Sequence, residues 1–241
     1  MKLDIIGDRR RPKILLIHPS VADSRCFAPL FPYLEDYCLI LPMLGGHDIT
    51  SSDDYRGARA EAQALYQALT ANGISALHAL CAESLGCVVG WELLQMQRLK
   101  IRRIVFDGAP FAQFGTFTRL INFSMTMLLV RRAQRTPEKL QMIDERYPEV
   151  GSSMKEVLAH YHWPTVMRIV RDALGGVQLQ ADVLAATDDL LMLYGSEDPF
   201  RRGLDCLRDA GVPFRQMILE GYDHCAYPLK EPEAFCRLLT E

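Results

Sequence analysis

Ala82-Glu83-Ser84-Leu85-Gly86 joins an apolar run, Ala76 to Cys81, to a helical pattern running from Leu85 through Leu94. A serine at a strand-to-helix turn, with a small residue two positions to either side, is a candidate nucleophile. The turn is too tight for a large side chain at 82 or 86, and a strained serine backbone lifts Oγ clear of the sheet. The helix behind it aims backbone N–H groups at incoming negative charge. The pentapeptide also suits a serine that caps an ordinary buried helix. Its first position is Ala82 where Gly-x-Ser-x-Gly has glycine, so the choice between the two rests on the remainder of the chain.

That remainder has the makeup of a globular protein. Its 241 residues suit one α/β domain, with or without an inserted subdomain. At 49% apolar and 24% charged residues, the core needs no disulfide or structural metal. The net charge of −3, with both signs interspersed, argues against a nucleic-acid partner. Seven cysteines without a Cys-x-x-Cys pair read as reduced core or pocket residues rather than zinc ligands or redox centres. Met1-Lys2-Leu3-Asp4 has no signal-peptide layout, so a cytoplasmic location is expected. The longest apolar stretch, Phe123 to Val130, is short and broken by Ser124 and Thr126; no membrane span is expected.

Outward from the pentapeptide, strands and helices alternate. Leu3 to Ile6 reads as an edge strand, and Lys13 to Ile17 as a strand buried on both faces that ends at His18-Pro19-Ser20. Ser24 is a candidate cap for a helix reaching Leu34, and Tyr37 to Leu41 is the next strand. Asp53 or Asp54 opens a helix over about Tyr55 to Thr70, stopped by Asn72-Gly73. Arg103 to Phe106 is a strand ending at Asp107-Gly108. Alternation then stops, and residues from Pro110 to about Thr187 read as several helices. Phe114, Phe117, Ile121, Met125 and Leu128 share one helical face, and Thr136-Pro137 and a Ser153/Glu156 capping box open later helices. Alternation resumes with Asp189 to Tyr194, a helix over about Phe200 to Ala210, a strand Val212 to Leu219 and a closing helix from Pro232 to Leu239. The fold class is α/β, a mostly parallel sheet with helices on both faces. Such sheets bind ligands beyond the carboxyl ends of their strands, where His18, Ser84, Asp107, Asp198 and His224 all fall.

With these residues placed, the chain resembles the α/β-hydrolase superfamily over nearly its whole length. The order Ser84, Asp198, His224 is that family's serine–acid–histidine order. Leu193-Tyr194-Gly195-Ser196-Glu197-Asp198-Pro199 looks like its acid loop, Gly221-Tyr222-Asp223-His224 like its histidine loop, and Gly45-Gly46-His47 like the turn before its first long helix. The resemblance implies a core of residues 1–109 and 188–241, with a helical lid, 110–187, inserted after the strand ending at Asp107. It implies Ser84 as nucleophile, His224 as general base and Asp198 as the acid that orients it. The implied oxyanion hole is formed by the backbone N–H groups of Ser20 and Leu85. Asp107 is the alternative acid, since some family members carry it at that earlier strand. Pro19 stands where the family usually has glycine; it donates no hydrogen bond, but the donor position follows it.

Other residues carry paired readings. His18 is expected to shape its loop by hydrogen bonding and to border a possible substrate pocket, and Glu83 to line that pocket or face solvent. Phe111, Phe114 and Phe117 are expected to meet the apolar part of a substrate. His160 and His162 read as lid residues rather than metal ligands, and no metal or cofactor is expected. The implied activity is hydrolysis of an ester, thioester or related acyl bond of a small to medium substrate. The same triad also serves acyltransferases and C–C hydrolases, and the scaffold can carry a catalytically dormant binding or signalling protein. Oligomeric state is not legible.

Overall fold

The computed structural model describes residues 1–184 and 189–241. The described strands are β1 (Leu3–Ile6), β2 (Lys13–Ile17), β3 (Cys38–Pro42), β4 (Ala76–Glu83), β5 (Lys100–Asp107), β6 (Leu190–Gly195) and β7 (Arg215–Leu219). They form one sheet in the order β1-β3-β2-β4-β5-β6-β7. Only β1 runs antiparallel, against β3; the remaining pairings are parallel. The helices are α1 (Ala58–Ala71), α2 (Leu85–Gln95), α3 (Thr116–Arg135), α4 (Gln141–Arg146), α5 (Gly151–His160), α6 (Trp163–Leu174), α7 (Gly203–Asp209), α8 (Tyr227–Lys230) and α9 (Pro232–Thr240).

The apolar runs of the inner strands explain the layering. Side chains alternate between faces along a strand. Leu15, Ile17, Leu80, Ala82, Ile104 and Phe106 therefore join a cluster with α1 and α2 on one face. Ile14, Leu16, Ala79, Cys81 and Val105 join a second cluster with α9 and the 3₁₀ helix Ser24–Tyr33 on the other. Each fully buried Leu or Ile contributes roughly 1.5–3 kcal/mol, so these strands form the rigid platform on which the loops stand.

Strand order reverses direction between β2 and β4: β3 lies outward of β2, whereas β5 to β7 follow β4 the other way. That is the crevice where open α/β sheets bind ligands. The register pairs Ile17 with Ala82 and Glu83 with Asp107, so the loops after β2, β4 and β5 leave the sheet side by side.

Several local expectations are corrected. The segment after β2 is a 3₁₀ helix capped by Asp23, whose side chain accepts from Arg25 N–H, rather than a helix capped by Ser24; Pro29 and Pro32 lie inside it and remove the amide donors a longer α-helix requires. Helix α1 begins at Ala58, not Tyr55, because tertiary bonds hold the preceding residues: the Tyr55 hydroxyl donates to Asp172 and Arg56 N–H to Glu61 Oε1. Ser153 and Glu156 do not form a capping box. Helix α5 starts at Gly151, Ser153 Oγ donates to the Val150 carbonyl, and Glu156 pairs with Arg25.

The described elements between β5 and β6 are helices α3 through α6, with 3₁₀ turns at Pro137–Leu140 and Ala181–Leu184. The expected end of this segment, between residues 187 and 188, lies outside the described residues. The segment has its own apolar cluster, including Val130, Leu140, Val157, Leu158, Tyr161, Val166, Ile169 and Leu174, and this cluster takes in Leu85 and Tyr55 from the sheet-bearing part. The helices thus pack directly on the residue that follows Ser84. The expected apolar face of α3 does not pack inward: Phe117 is 76% exposed and Met125 56%, with Ile121 and Leu128 also exposed.

Candidate active site

Ser84 sits at the sharpest point of the β4–α2 turn, with φ 47° and ψ −116°. A non-glycine residue held there stores roughly 1–3 kcal/mol of strain. Its N–H is anchored to the Asp107 carbonyl at 2.9 Å. Gly86 allows the first turn of α2 to press on β2, since a Cβ there would stand 2.4 Å from the Ile17 carbonyl oxygen. Ala82 faces α2 at Gly90, whose added Cβ would lie 3.6 Å from the Ala82 methyl, an ordinary contact, and 3.1 Å from the Phe106 ring. Ser84 opens α2, but its side chain makes no capping bond. The hydroxyl instead meets His224.

Asp198 and His224 arrive on the loops after β6 and β7. Those loops meet because Gly195 lets the backbone of Tyr222 pass; a Cβ at Gly195 would stand 2.0 Å from the Tyr222 carbonyl oxygen. His224 Nδ1 lies 2.9 Å from Asp198 Oδ2, and Nε2 lies 2.9 Å from Ser84 Oγ. With Nδ1–H donated to the carboxylate, Nε2 is the acceptor for the serine proton. The other Asp198 oxygen accepts from Phe200 N–H at 2.8 Å. The Asp198 side chain is fully buried, whereas that of His224 keeps 25% of its exposure.

The alternative acid, Asp107, does not contact the imidazole nitrogens. It is buried, and its Oδ2 has no hydrogen-bond partner among the described residues. Burial pushes its pKa up to about 7, the positive potential of His224 pulling down and Asp198 pushing up. Glu83, its register partner on β4, is also buried rather than solvent-facing, and burial followed by the nearby Asp107 holds its carboxyl well above the usual range.

The loop after β2 is held by a buried network. His18 Nε2 accepts from Leu44 N–H at 3.2 Å, and its Nδ1 lies 2.9 Å from the Pro19 carbonyl oxygen, the loop-shaping role expected of it. His47 Nδ1–H donates to the Gly45 carbonyl, leaving Nε2 to accept from the Tyr161 hydroxyl at 2.6 Å. That hydroxyl oxygen accepts in turn from Val21 N–H at 2.9 Å. Burial pushes both histidines toward the neutral form. Val21, at φ 64°, is therefore fixed from α5–α6. Ser20 precedes it in the same loop, and Leu85 heads α2, fully buried, across the crevice.

Of the three expected pocket phenylalanines, one is near the histidine. Phe114 packs edge-on against Phe200 at 5.7 Å, and Phe200 against His224 at 4.9 Å. Phe111 is instead a core residue between Trp91 and Phe106. Phe117 faces solvent. Sequence reasoning passed over Phe200, Tyr161 and Gly108; a Cβ on Gly108 would lie 2.6 Å from His224 Cε1. The Asp107-Gly108 pair at a strand end was the available signal for the last. Among the described residues, no group of three or more His, Cys, Asp or Glu side chains converges to hold a metal ion. No described helix is long and apolar enough to cross a membrane.

This sheet, with its elbow serine and strand-end acid and histidine, is the α/β-hydrolase fold. The chain overlays on a protein from Desulfitobacterium hafniense assigned to the alpha/beta hydrolase family, with TM-score 0.76, 20% identity, and 99% of this chain and 98% of that one covered. It overlays similarly on a structure from a study of carboxylesterases of Nitrososphaera gargenis (TM-score 0.77, 16% identity, 99% and 92% covered). A bromoperoxidase from Bacillus anthracis is a further likeness (TM-score 0.75, 14% identity, 99% and 95% covered). No family model and no curated protein matches the sequence.

Proposed function

We propose that this protein is a serine hydrolase that cleaves an ester, thioester or related acyl bond of a small to medium, partly apolar substrate. The observation that carries the reading is the unbroken row from Ser84 Oγ through the His224 imidazole to the Asp198 carboxylate, with both contacts at 2.9 Å. Ser84 Oγ attacks the acyl carbonyl while His224 Nε2 takes its proton. Asp198 holds the tautomer and stabilises the imidazolium that forms. The proton then passes to the leaving group, and water repeats the sequence on the acyl-enzyme.

The carbonyl oxygen, as it becomes anionic, is received by the Ser20 and Leu85 N–H groups; losing one such donor costs roughly 3 kcal/mol of transition-state stabilisation. The helical segment acts as a lid. It is tied to the oxyanion loop through Tyr161 and Val21, and it presents Phe114 beside Phe200 to the apolar part of the substrate. The carboxylesterase likeness supports the choice of acyl bond. The test is turnover of p-nitrophenyl esters of increasing acyl length and of acyl thioesters by wild type and Ser84→Ala. Serine-dependent turnover of at least one series supports the reading; a folded wild type that turns over neither argues for a binding role.

A further inference from the structure

Arg119, in the first turn of α3, holds a buried donor with nothing to donate to. Its Nε is sequestered from solvent and has no hydrogen-bond partner among the described residues. A guanidinium cannot shed its charge, and an unsatisfied buried donor of this kind calls for an acceptor from outside the chain. Arg119 lines a cleft of about 550 Å³ that also takes in Arg56 from the segment before α1, Arg59 from its first turn and Arg171 from the last turn of α6.

The charge in this cleft is unbalanced. Four arginines face two carboxylates, Glu92 and Asp172. Asp172 is already committed: Oδ2 accepts from Ala58 N–H at 2.7 Å and from the Tyr55 hydroxyl at 3.0 Å, and Oδ1 from Arg171 Nε at 2.7 Å. Arg56 reaches Glu61 only at 3.9 Å. Among the described residues, neither Arg59 nor Arg119 forms an ion pair within 4 Å. Three glycines also line the cleft. At Gly57, φ +112°, a Cβ would lie 2.6 Å from Arg171 Nη2; the others are Gly175 and Gly176.

We propose that this cleft is a binding site for a phosphate-class polyanion, held by Arg119 and Arg59 and flanked by Arg56 and Arg171. Guanidinium forks match phosphate oxygens in pairs; with Arg171 paired to Asp172 and Arg56 to Glu61, Arg59 and Arg119 are the two forks left to meet the several oxygens of a phosphate-class anion. Arg119 and Arg171 come from the first and last helices of the segment between β5 and β6, whereas Arg56 and Arg59 come from the sheet-bearing part. A bound anion therefore bridges the two. Val88 and Glu92, which line the cleft, lie one and two turns beyond Ser84 on α2. The site involves none of the three residues assigned to acyl transfer.

The test is calorimetric titration of the full chain with inorganic pyrophosphate at low ionic strength, where such contacts are least screened. Wild type should bind one equivalent saturably. Arg119→Gln and Arg59→Gln should each weaken binding by about tenfold or more, the scale of one lost charge-assisted hydrogen bond. Arg102→Gln, an equal charge change at an exposed position on β5, should leave affinity within about twofold. Arg59, exposed on α1, carries the test alone if Arg119→Gln does not fold. No saturable binding by wild type, full affinity in the cleft variants, or equal weakening by Arg102→Gln would each overturn the proposal.

Discussion

Gly108 lies directly beneath the His224 imidazole: a Cβ at this position, built on φ +62°, would stand 2.6 Å from Cε1 and 2.7 Å from Nδ1. The ring can occupy its place between Ser84 and Asp198 only because residue 108 has no side chain. Gly108→Ala should shift the imidazole by a fraction of an ångström to an ångström, and displacement on that scale costs roughly 100-fold in rate. Steady-state hydrolysis with parallel circular dichroism checks this. A folded variant with unchanged kcat/KM would show that the ring does not need its present seat.

The two buried aspartates should separate cleanly. Asp198→Asn keeps the geometry but removes the acceptor that fixes the His224 tautomer, so kcat should fall by about 10⁴. Asp107→Asn removes a carboxyl that touches neither ring nitrogen, so kcat should stay within about tenfold of wild type. Michaelis–Menten kinetics on both variants decide the matter, and the reverse pattern would make Asp107 the acid.

Asp107 also leaves a mark on stability. Its folded pKa, raised to about 7, lies above the unfolded value, so the folded state binds the extra proton. The associated stabilisation is fully present below about pH 4 and is lost as pH rises through about 7, a slope amounting to a few kcal/mol at most. Urea unfolding of wild type and Asp107→Asn between pH 4 and 8 measures it. The difference should favour the variant increasingly as pH rises; parallel curves would mean that the carboxyl is ionised in the native state.

Tyr161 joins the helical segment to the loop after β2, which carries the proposed oxyanion donor Ser20. Tyr161→Phe leaves Val21 N–H without its acceptor and His47 Nε2 without its donor, both within the fold. A loss of about 1–3 kcal/mol of stability is expected, with a fall in kcat larger than any change in KM if, as proposed, the Ser20 N–H acts on the transition state. Thermal unfolding and kinetics read the two effects. A variant as stable and as active as wild type would remove Tyr161 from both roles.

These contrasts show where the sequence was legible. Lys13–Ile17 and Ala76–Cys81 declare themselves as strands buried on both faces, and parallel topology then places His18, Ser84, Asp107, Asp198 and His224 on one edge without further information. The acid-loop resemblance favours Asp198 over Asp107 although both end strands; the approach of the β7 loop over Gly108 and Gly195 is what brings Asp198 to Nδ1. Helix starts failed where side chains found distant partners, as Tyr55 did with Asp172 and Glu156 with Arg25. Periodicity marked an apolar stripe on α3 but could not say whether anything lies against it. Phe111 is a core residue rather than a pocket one because its ring packs against Trp91 and Phe106.

The most direct test is reaction with a fluorophosphonate probe followed by intact-protein and peptide mass spectrometry. Wild type should gain one adduct, mapped to Ser84, that is absent in Ser84→Ala and strongly slowed in His224→Ala. A folded wild type that stays unmodified, or an equal adduct in Ser84→Ala, would contradict the assignment of Ser84 as an activated nucleophile.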